Sequence, residues 1–260
     1  MMRVEELLKY YPENQRRFRD FILREYLQHK ILQIIFEQPE ISRQLCFLGG
    51  TCLRIVHGNT RFSEDIDFDN QGLDADGFEL VADAIRKQLA REGYEVEIKT
   101  VLRSAFHCYI RFPGILFQEG LSGHAEQKIL IQLDTEPQHY SFAPEKVIVN
   151  KFDVFTEIPV TPLSILLAQK FFTIVNRKRA KGRDFFDVVF LLGKNIKPDY
   201  KYLNLKLNVN NSQELKELVL QTCTKLNMHE MALDVAPFLF NASDAKKVEL
   251  FEKYLKQVEL

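Results

Sequence analysis

Apolar residues recur at helical spacing from residue 3 to 37, through Leu7, Leu8, Phe18, Phe21, Ile22, Leu27, Ile31, Ile34 and Ile35. A break falls near Tyr11-Pro12, and Arg16, Arg17, Arg19 and Arg24 decorate a face expected to be solvated. Leu45 to Leu48 reads as a short buried strand that ends at Gly49-Gly50. Thr51 to Val56 then starts a short helix with Thr51 near its N-terminus. After a polar loop, Asp65-Ile66-Asp67-Phe68-Asp69 alternates strictly, the period of a strand with one buried face. Residues 74 to 91 predict an amphipathic helix, with Phe78, Val81, Ile85 and Leu89 inward and Gly93 closing it. Three further strands are expected at 94–102, 106–112 and 128–134. Pro159 and Pro162 mark a boundary, beyond which the pattern is helical at 162–178, 182–194, 212–227 and 243–258.

The chain has 260 residues, 46% apolar and 27% charged, which suits a globular protein of one large domain or two modest ones. Its longest apolar runs, 163–168 and 188–192, fall far short of a membrane span. The N-terminus carries acids and no apolar stretch of the signal-peptide kind, so a cytoplasmic location is expected. With 35 basic and 36 acidic residues, the net charge of -1 gives no global sign of nucleic-acid binding, and any basic site must be local. Cys46, Cys52, Cys108 and Cys223 form no paired motif and read as buried thiols. The six histidines show no zinc spacing.

Asp65 and Asp67 carry the chemistry. On a strand, residues i and i+2 share a face with Cα atoms roughly 6.5 Å apart. Ile66 and Phe68 would anchor the other face in the core and so fix where the acids aim. Paired carboxylates repel unless a cation intervenes, and hard oxygen donors suit Mg²⁺. Two such ions roughly 3.5–4 Å apart clamp the attacking and leaving oxygens of a phosphoryl displacement. Gly49-Gly50-Thr51, with Thr51 14 residues before Asp65, lets backbone approach a phosphate, and the Thr51 hydroxyl adds a hydrogen bond. Asp134 ends the apolar strand 128–134 and is the third carboxylate expected to bind the catalytic ion and deprotonate the acceptor; otherwise it opens a turn.

These residues resemble a known family. Phe47-Leu48-Gly49-Gly50-Thr51-Cys52-Leu53-Arg54 with Arg61-Phe62-Ser63-Glu64-Asp65-Ile66-Asp67-Phe68 looks like the AbiEii/AbiGii toxin family of nucleotidyltransferases, within the DNA polymerase β-like superfamily. Gln169-Lys170-Phe171-Phe172 and Lys181 to Val188 resemble that family's later lysine and Arg-Asp motifs, so the likeness covers roughly residues 45 to 192. The resemblance implies an α+β fold: a nucleotidyltransferase core with a mixed sheet flanked by helices, then a C-terminal helical domain. The expected divisions are a helical segment 1–40, a catalytic core 41–158 and a helical domain 159–260.

Lys170, among Leu166, Leu167, Phe171 and Phe172, would want an anion such as a nucleotide phosphate, unless it snorkels to the surface. The resemblance places Asp184 in the active site, ahead of Asp187; its residue-level alternatives are orienting Lys170 or capping its helix. The run Arg177 to Arg183, with five cations in seven residues, is either a solvated edge or a grip for phosphates. Arg61 either touches phosphate or pairs with Glu64.

The expected catalytic set is Asp65, Asp67, Asp134, Lys170 and Asp184, with the metal on the first three. The nucleotide-binding set is Gly49, Gly50, Thr51, Arg61, Ser63, Lys170 and Arg183. The cofactor is Mg²⁺ in a two-metal site, with Mn²⁺ as its substitute. An NTP is the substrate, the family resemblance implies a tRNA 3′ end as acceptor, and a type IV toxin implies a cognate antitoxin. A protein side chain is the alternative acceptor, and a nucleotide- or partner-binding module without turnover is the reading from another class.

Overall fold

The structure, a computed structural model, describes residues 2–260, and the chain divides into two compact units. Unit 1 holds residues up to His57 and Phe62–Val160; unit 2 holds Gly58–Arg61 and Thr161–Leu260.

Unit 1 is built on a seven-stranded mixed sheet: β1 (Leu45–Leu48), β2 (Ile66–Asn70), β3 (Glu97–Leu102), β4 (Phe106–Pro113), β5 (Lys128–Glu136), β6 (Glu145–Lys151) and β7 (Val154–Val160). The strand order is β3-β4-β5-β2-β1-β7-β6, with β1/β7 and β2/β5 parallel and the other neighbours antiparallel. Its helices are α1 (Val4–Leu7), α2 (Arg19–Phe36), α3 (Gly49–Ile55), α4 (Ala75–Arg91) and α5 (Ile115–Gln118). The alternation in β2, β4 and β5 buries Ile66, Phe68, Cys108, Ile110, Ile131 and Leu133 on one face, where α2 and α4 contact the sheet. The residues between them, Asp67, His107, Gln132 and Asp134, share the other face. The fold is α+β, as the sequence led us to expect.

Several boundaries moved for visible reasons. The N-terminal helical pattern splits into α1, short 3₁₀ turns at Leu8–Tyr10 and Glu13–Gln15, and α2. Residues 1–40, expected as a segment apart, count with the sheet in unit 1 as far as they are described. β3 starts at Glu97, three residues after the expected Tyr94, because the Tyr94 amide closes the end of α4 on the Leu89 carbonyl at 3.0 Å. The β6–β7 hairpin was not expected. Its turn lacks the usual Asn-Gly or Asp-Gly signal and instead holds Phe152 at φ +59°.

Unit 2 is helical: α6 (Leu163–Asn176), α7 (Gly182–Leu192), α8 (Tyr200–Leu207), α9 (Ser212–Cys223), α10 (Met228–Val235), α11 (Lys246–Glu249) and α12 (Phe251–Gln257). A Cβ on Gly182 would lie 1.8 Å from the Met231 carbonyl oxygen, so only glycine lets α7 begin against α10. Asp234 accepts from the Gly182 amide at 2.8 Å at the same point. Among the described residues no helix is long and apolar enough to cross a membrane.

Candidate active site

In β1 and β2, Leu48 is registered opposite Asp67, so the Gly49-Gly50 turn leaves β1 directly beside the second acid. Gly49 has φ +81°, and a Cβ on it would stand 2.3 Å from Asp67 Oδ2. No side chain fits between turn and carboxylate. Thr51 is fully buried, and its hydroxyl donates to the Asp65 carbonyl, tying the start of α3 to the backbone of the first acid. That hydroxyl therefore serves as a clamp on the strand rather than standing free for a phosphate. Gln28 of α2 donates to the carbonyls of Ser63 and Glu64 at 3.1 and 2.9 Å, fixing the approach to Asp65 from the other side.

β2 begins at Ile66, so Asp65 stands at its threshold and Asp67 within it. Arg24, half-buried on α2, donates to the Leu130 carbonyl and feels the charges of Glu64 and Asp65, while burial lowers its pKa. The solvated arginine face expected for this helix thus includes one cation set beside the first acid.

β5 pairs parallel to β2 with Asp134 opposite Asp67. Neighbouring strands lie about 4.8 Å apart, and registered residues share a face, so Asp134 stands in the same row as Asp67. Its carboxylate is held by His107 Nδ1 at 2.7 Å and by Gln132 Nε2 at 2.9 Å. Among the described residues, no three His, Cys, Asp or Glu side chains are close enough to hold a metal ion as they stand. The donor chemistry fits a hard divalent cation all the same: hard carboxylate oxygens from two neighbouring strands, with bare glycine backbone against one of them.

Arg54 on α3 is anchored from below. Its Nε donates to Glu25 Oε2 at 2.7 Å, while Lys151 and Tyr11 reach Glu25 Oε1, each at 2.7 Å. Burial would raise Glu25, but Arg54, Lys151 and His29 outweigh it and bring its pKa down to about 2. Cys52 on the same helix is buried, which pushes its thiol well up; all four cysteines are buried and none is in a disulfide.

Unit 2 carries a second cluster. Lys170 on α6 lies 2.7 Å from Asp187 and 3.0 Å from Asp184, both on α7. Arg61 is buried and grips Asp187 through Nε at 2.7 Å and Nη2 at 2.6 Å, and Asn59 donates to the same carboxylate at 2.7 Å. Arg177 pairs with Asp184. Burial by itself would lower Lys170, yet Asp187 and Asp184 hold its pKa above the ordinary lysine value. Burial would raise Asp187, and Arg61 and Lys170 instead bring it down to about 2.

Asp184 and Lys170 are thus ion-paired, and the Lys170 side chain stays largely enclosed rather than reaching the surface. Arg61 pairs with Asp187, and Asp187 proves the more deeply buried acid of the two. Arg183 stacks its guanidinium 4.8 Å from the centre of the Phe238 ring. Sequence reasoning passed over His107, Gln132, Gln28 and Arg24, and ranked Asp187 below Asp184. The first two sat on recognised strands at the right parity, and only the register was missing.

A mixed sheet that sets a Gly-Gly-Thr turn against an Asp-x-Asp strand is the frame of a nucleotidyltransferase. The family model described as nucleotidyl transferase AbiEii toxin, type IV toxin–antitoxin system, matches residues 30–253, and the chain belongs to that family. It is thus a nucleotidyltransferase enzyme of a toxin family whose members generally use divalent metals. Among solved structures, JHP933 from Helicobacter pylori is similar with 16% identity and a TM-score of 0.55, covering 91% of each chain. MenT4, a nucleotidyltransferase toxin of Mycobacterium tuberculosis, gives 13% identity and a TM-score of 0.55 over 100% of this chain and 91% of its own. At such identities these two speak for the fold. A search of curated proteins finds no match.

Proposed function

We propose that the enzyme moves a nucleoside monophosphate from an NTP to an acceptor hydroxyl at a tRNA 3′ end, in a Mg²⁺-dependent reaction, as a toxin countered by a cognate antitoxin. One observation carries the reading: the Gly-Gly-Thr turn lies against both acids, with no room for a Cβ between Gly49 and the Asp67 carboxylate and with the Thr51 hydroxyl bonded to the Asp65 carbonyl. Asp65, Asp67 and Asp134 would hold the divalent ions, with Mn²⁺ able to replace Mg²⁺. Bound there, the cation supplies charge neutralisation for the displacement. The backbone of Gly49, Gly50 and Thr51 lies along the triphosphate, where missing side chains allow close approach. The Ser63 backbone, held by Gln28, sets the entry to the acids.

Asp134 takes the proton of the attacking hydroxyl, for which an oriented carboxylate on the same strand face is suited. In unit 2, Lys170 is the phosphate-binding cation and Asp184 its orienting partner, with Arg183 and the neighbouring basic run as further phosphate contacts. Support for Lys170 is that Asp187 and Asp184 keep its pKa above the ordinary lysine value despite burial. Arg61 acts as the anchor of Asp187.

The test is incubation with each labelled NTP, Mg²⁺ and total cell RNA and protein, resolved on a gel. Label should enter the tRNA band. Asp67→Ala should reduce it at least about a hundredfold, with an unchanged melting midpoint. Label in protein would replace the acceptor; no label with any NTP would remove the reading.

A further inference from the structure

Asp67, Asp134 and His107 form one row across three strands. β2 and β5 set Asp67 opposite Asp134, and β5 and β4 set Asp134 opposite His107. Behind the row lie Ile66, Phe68, Leu133 and Cys108, all buried, so none of the three strands can slip without turning its apolar side outward. The row is fixed by the core beneath it.

Within it, Asp134 is bonded unequally. His107 Nδ1 meets Oδ1 at 2.7 Å, whereas Gln132 Nε2 reaches Oδ1 and Oδ2, each at 2.9 Å. A carboxylate oxygen accepts, so His107 Nδ1 is assigned as the donor, and Oδ1 is the oxygen taken by two donors. Oδ2, with Gln132 as its donor here, is the oxygen offered to a ligand. The side chains of His107 and Asp134 are 32% and 31% exposed, open enough for a small ligand to reach them. A half-exposed pair of this kind contributes little to folding. Stability alone does not account for two polar side chains aimed at one carboxylate on this partly exposed sheet face.

We propose that His107, assisted by Gln132, is a positioning residue for Asp134: it pins Oδ1 and so presents Oδ2 to the cation and the acceptor hydroxyl. The inference rests on the metal-dependent reading of this site and deepens it. Groups that hydrogen-bond a ligating carboxylate fix its orientation, and their loss typically weakens metal affinity or activity by about ten- to a hundredfold.

The test compares the full chain with His107→Leu, His107→Asn and Gln132→Leu. Two readouts are used: binding of Mn²⁺ alone, followed by electron paramagnetic resonance, and nucleotide-transfer kinetics separated into kcat and KM. His107→Leu should weaken Mn²⁺ binding about tenfold and lower kcat by a similar factor. Its KM for NTP and its melting midpoint should stay put. His107→Asn places an amide nitrogen where Nδ1 stood and should recover most of both losses. Gln132→Leu, which removes the other donor, should show a milder form of the same pattern.

Equal Mn²⁺ binding by the native chain and His107→Leu would overturn the proposal. So would identical behaviour of the Leu and Asn variants, because a merely space-filling histidine predicts that result. Failure of the underlying reading shows up differently, in a native chain that binds no Mn²⁺ and transfers no nucleotide; that outcome overturns both.

Discussion

Gly49 cannot gain a methyl group while Asp67 keeps its place, because the new Cβ would sit 2.3 Å from Oδ2 on a backbone at φ +81°. Gly49→Ala should therefore cost about 1–2 kcal/mol from the left-handed backbone. Displacement of the carboxylate should also abolish nucleotide transfer. Activity near the native level, with a melting midpoint unchanged, would show that the turn does not control Asp67. A second residue-scale prediction separates the two acids of α7. Asp187→Asn leaves Arg61 and Lys170 buried against a neutral amide and should cost about 3–5 kcal/mol in denaturant titration. Asp184→Asn should cost less, since one of its partners, Arg177, is 38% exposed and the other, Lys170, keeps its shorter pair with Asp187. The reverse ranking would refute this account of the cluster. Asp65, Asp67 and Gly49 were legible in the sequence because side-chain period and glycine permissiveness are local properties. The partner of Arg61 lies 126 residues away and that of Asp134 lies 27 residues away, on another strand. No local pattern carries such distances.

At the scale of elements, α2 shows why a helix can be recognised while its role is not. Its apolar spacing was plain, yet Glu25, Gln28, His29 and Lys30 are buried too, since the helix packs between sheet, α4 and the β6–β7 turn. The hairpin itself was invisible because its turn uses Phe152 rather than glycine or asparagine. The ring of His29 meets that Phe152 edge-on at 5.0 Å, and its Nδ1 donates to the Glu25 carbonyl at 2.6 Å. Burial brings His29 down to about 4 from an ordinary 6.5, with Glu25 pulling the other way and Lys151 and Arg54 adding to the fall. Below pH 6.5 the unfolded chain takes up a proton that the folded chain refuses until about pH 4. Stability is thus fully present above pH 6.5 and is lost as pH falls through that window. Glu25 adds nothing over most of it, because its own loss begins near 4.5 and runs down to about 2. Between pH 7 and 5 the His29 contribution should fall by about 2 kcal/mol, and His29→Gln should flatten that part of the curve. Urea midpoints at the two pH values decide the matter: an equal slope in both proteins would clear His29 of the effect.

For the whole molecule, the chain does not divide at a single point. It passes from unit 1 to unit 2 between His57 and Gly58, returns between Arg61 and Phe62, and passes again between Val160 and Thr161. The change of pattern near Pro159 and Pro162 falls close to the last crossing. The first two have no such mark, since four residues carry no periodicity. Their membership follows from tertiary partners alone: Arg61 and Asn59 on Asp187, the Arg61–Leu239 bridge, and the Phe240 amide on the Thr60 carbonyl at 3.2 Å. Residues 161–260 by themselves would keep Asp187 buried while losing its bidentate arginine and its asparagine. Removing one partner of a buried ion pair costs about 3–5 kcal/mol, a large share of the 5–15 kcal/mol that holds a typical domain together. The fragment 161–260 should therefore show helical signal without a cooperative melt in calorimetry. The same fragment preceded by residues 56–64 and a flexible Gly/Ser linker should regain one, because the linker restores Asn59 and Arg61 at high local concentration. If the bare fragment melts as sharply as the linked one and at the same temperature, the Gly58–Arg61 strap is not what completes the helical unit.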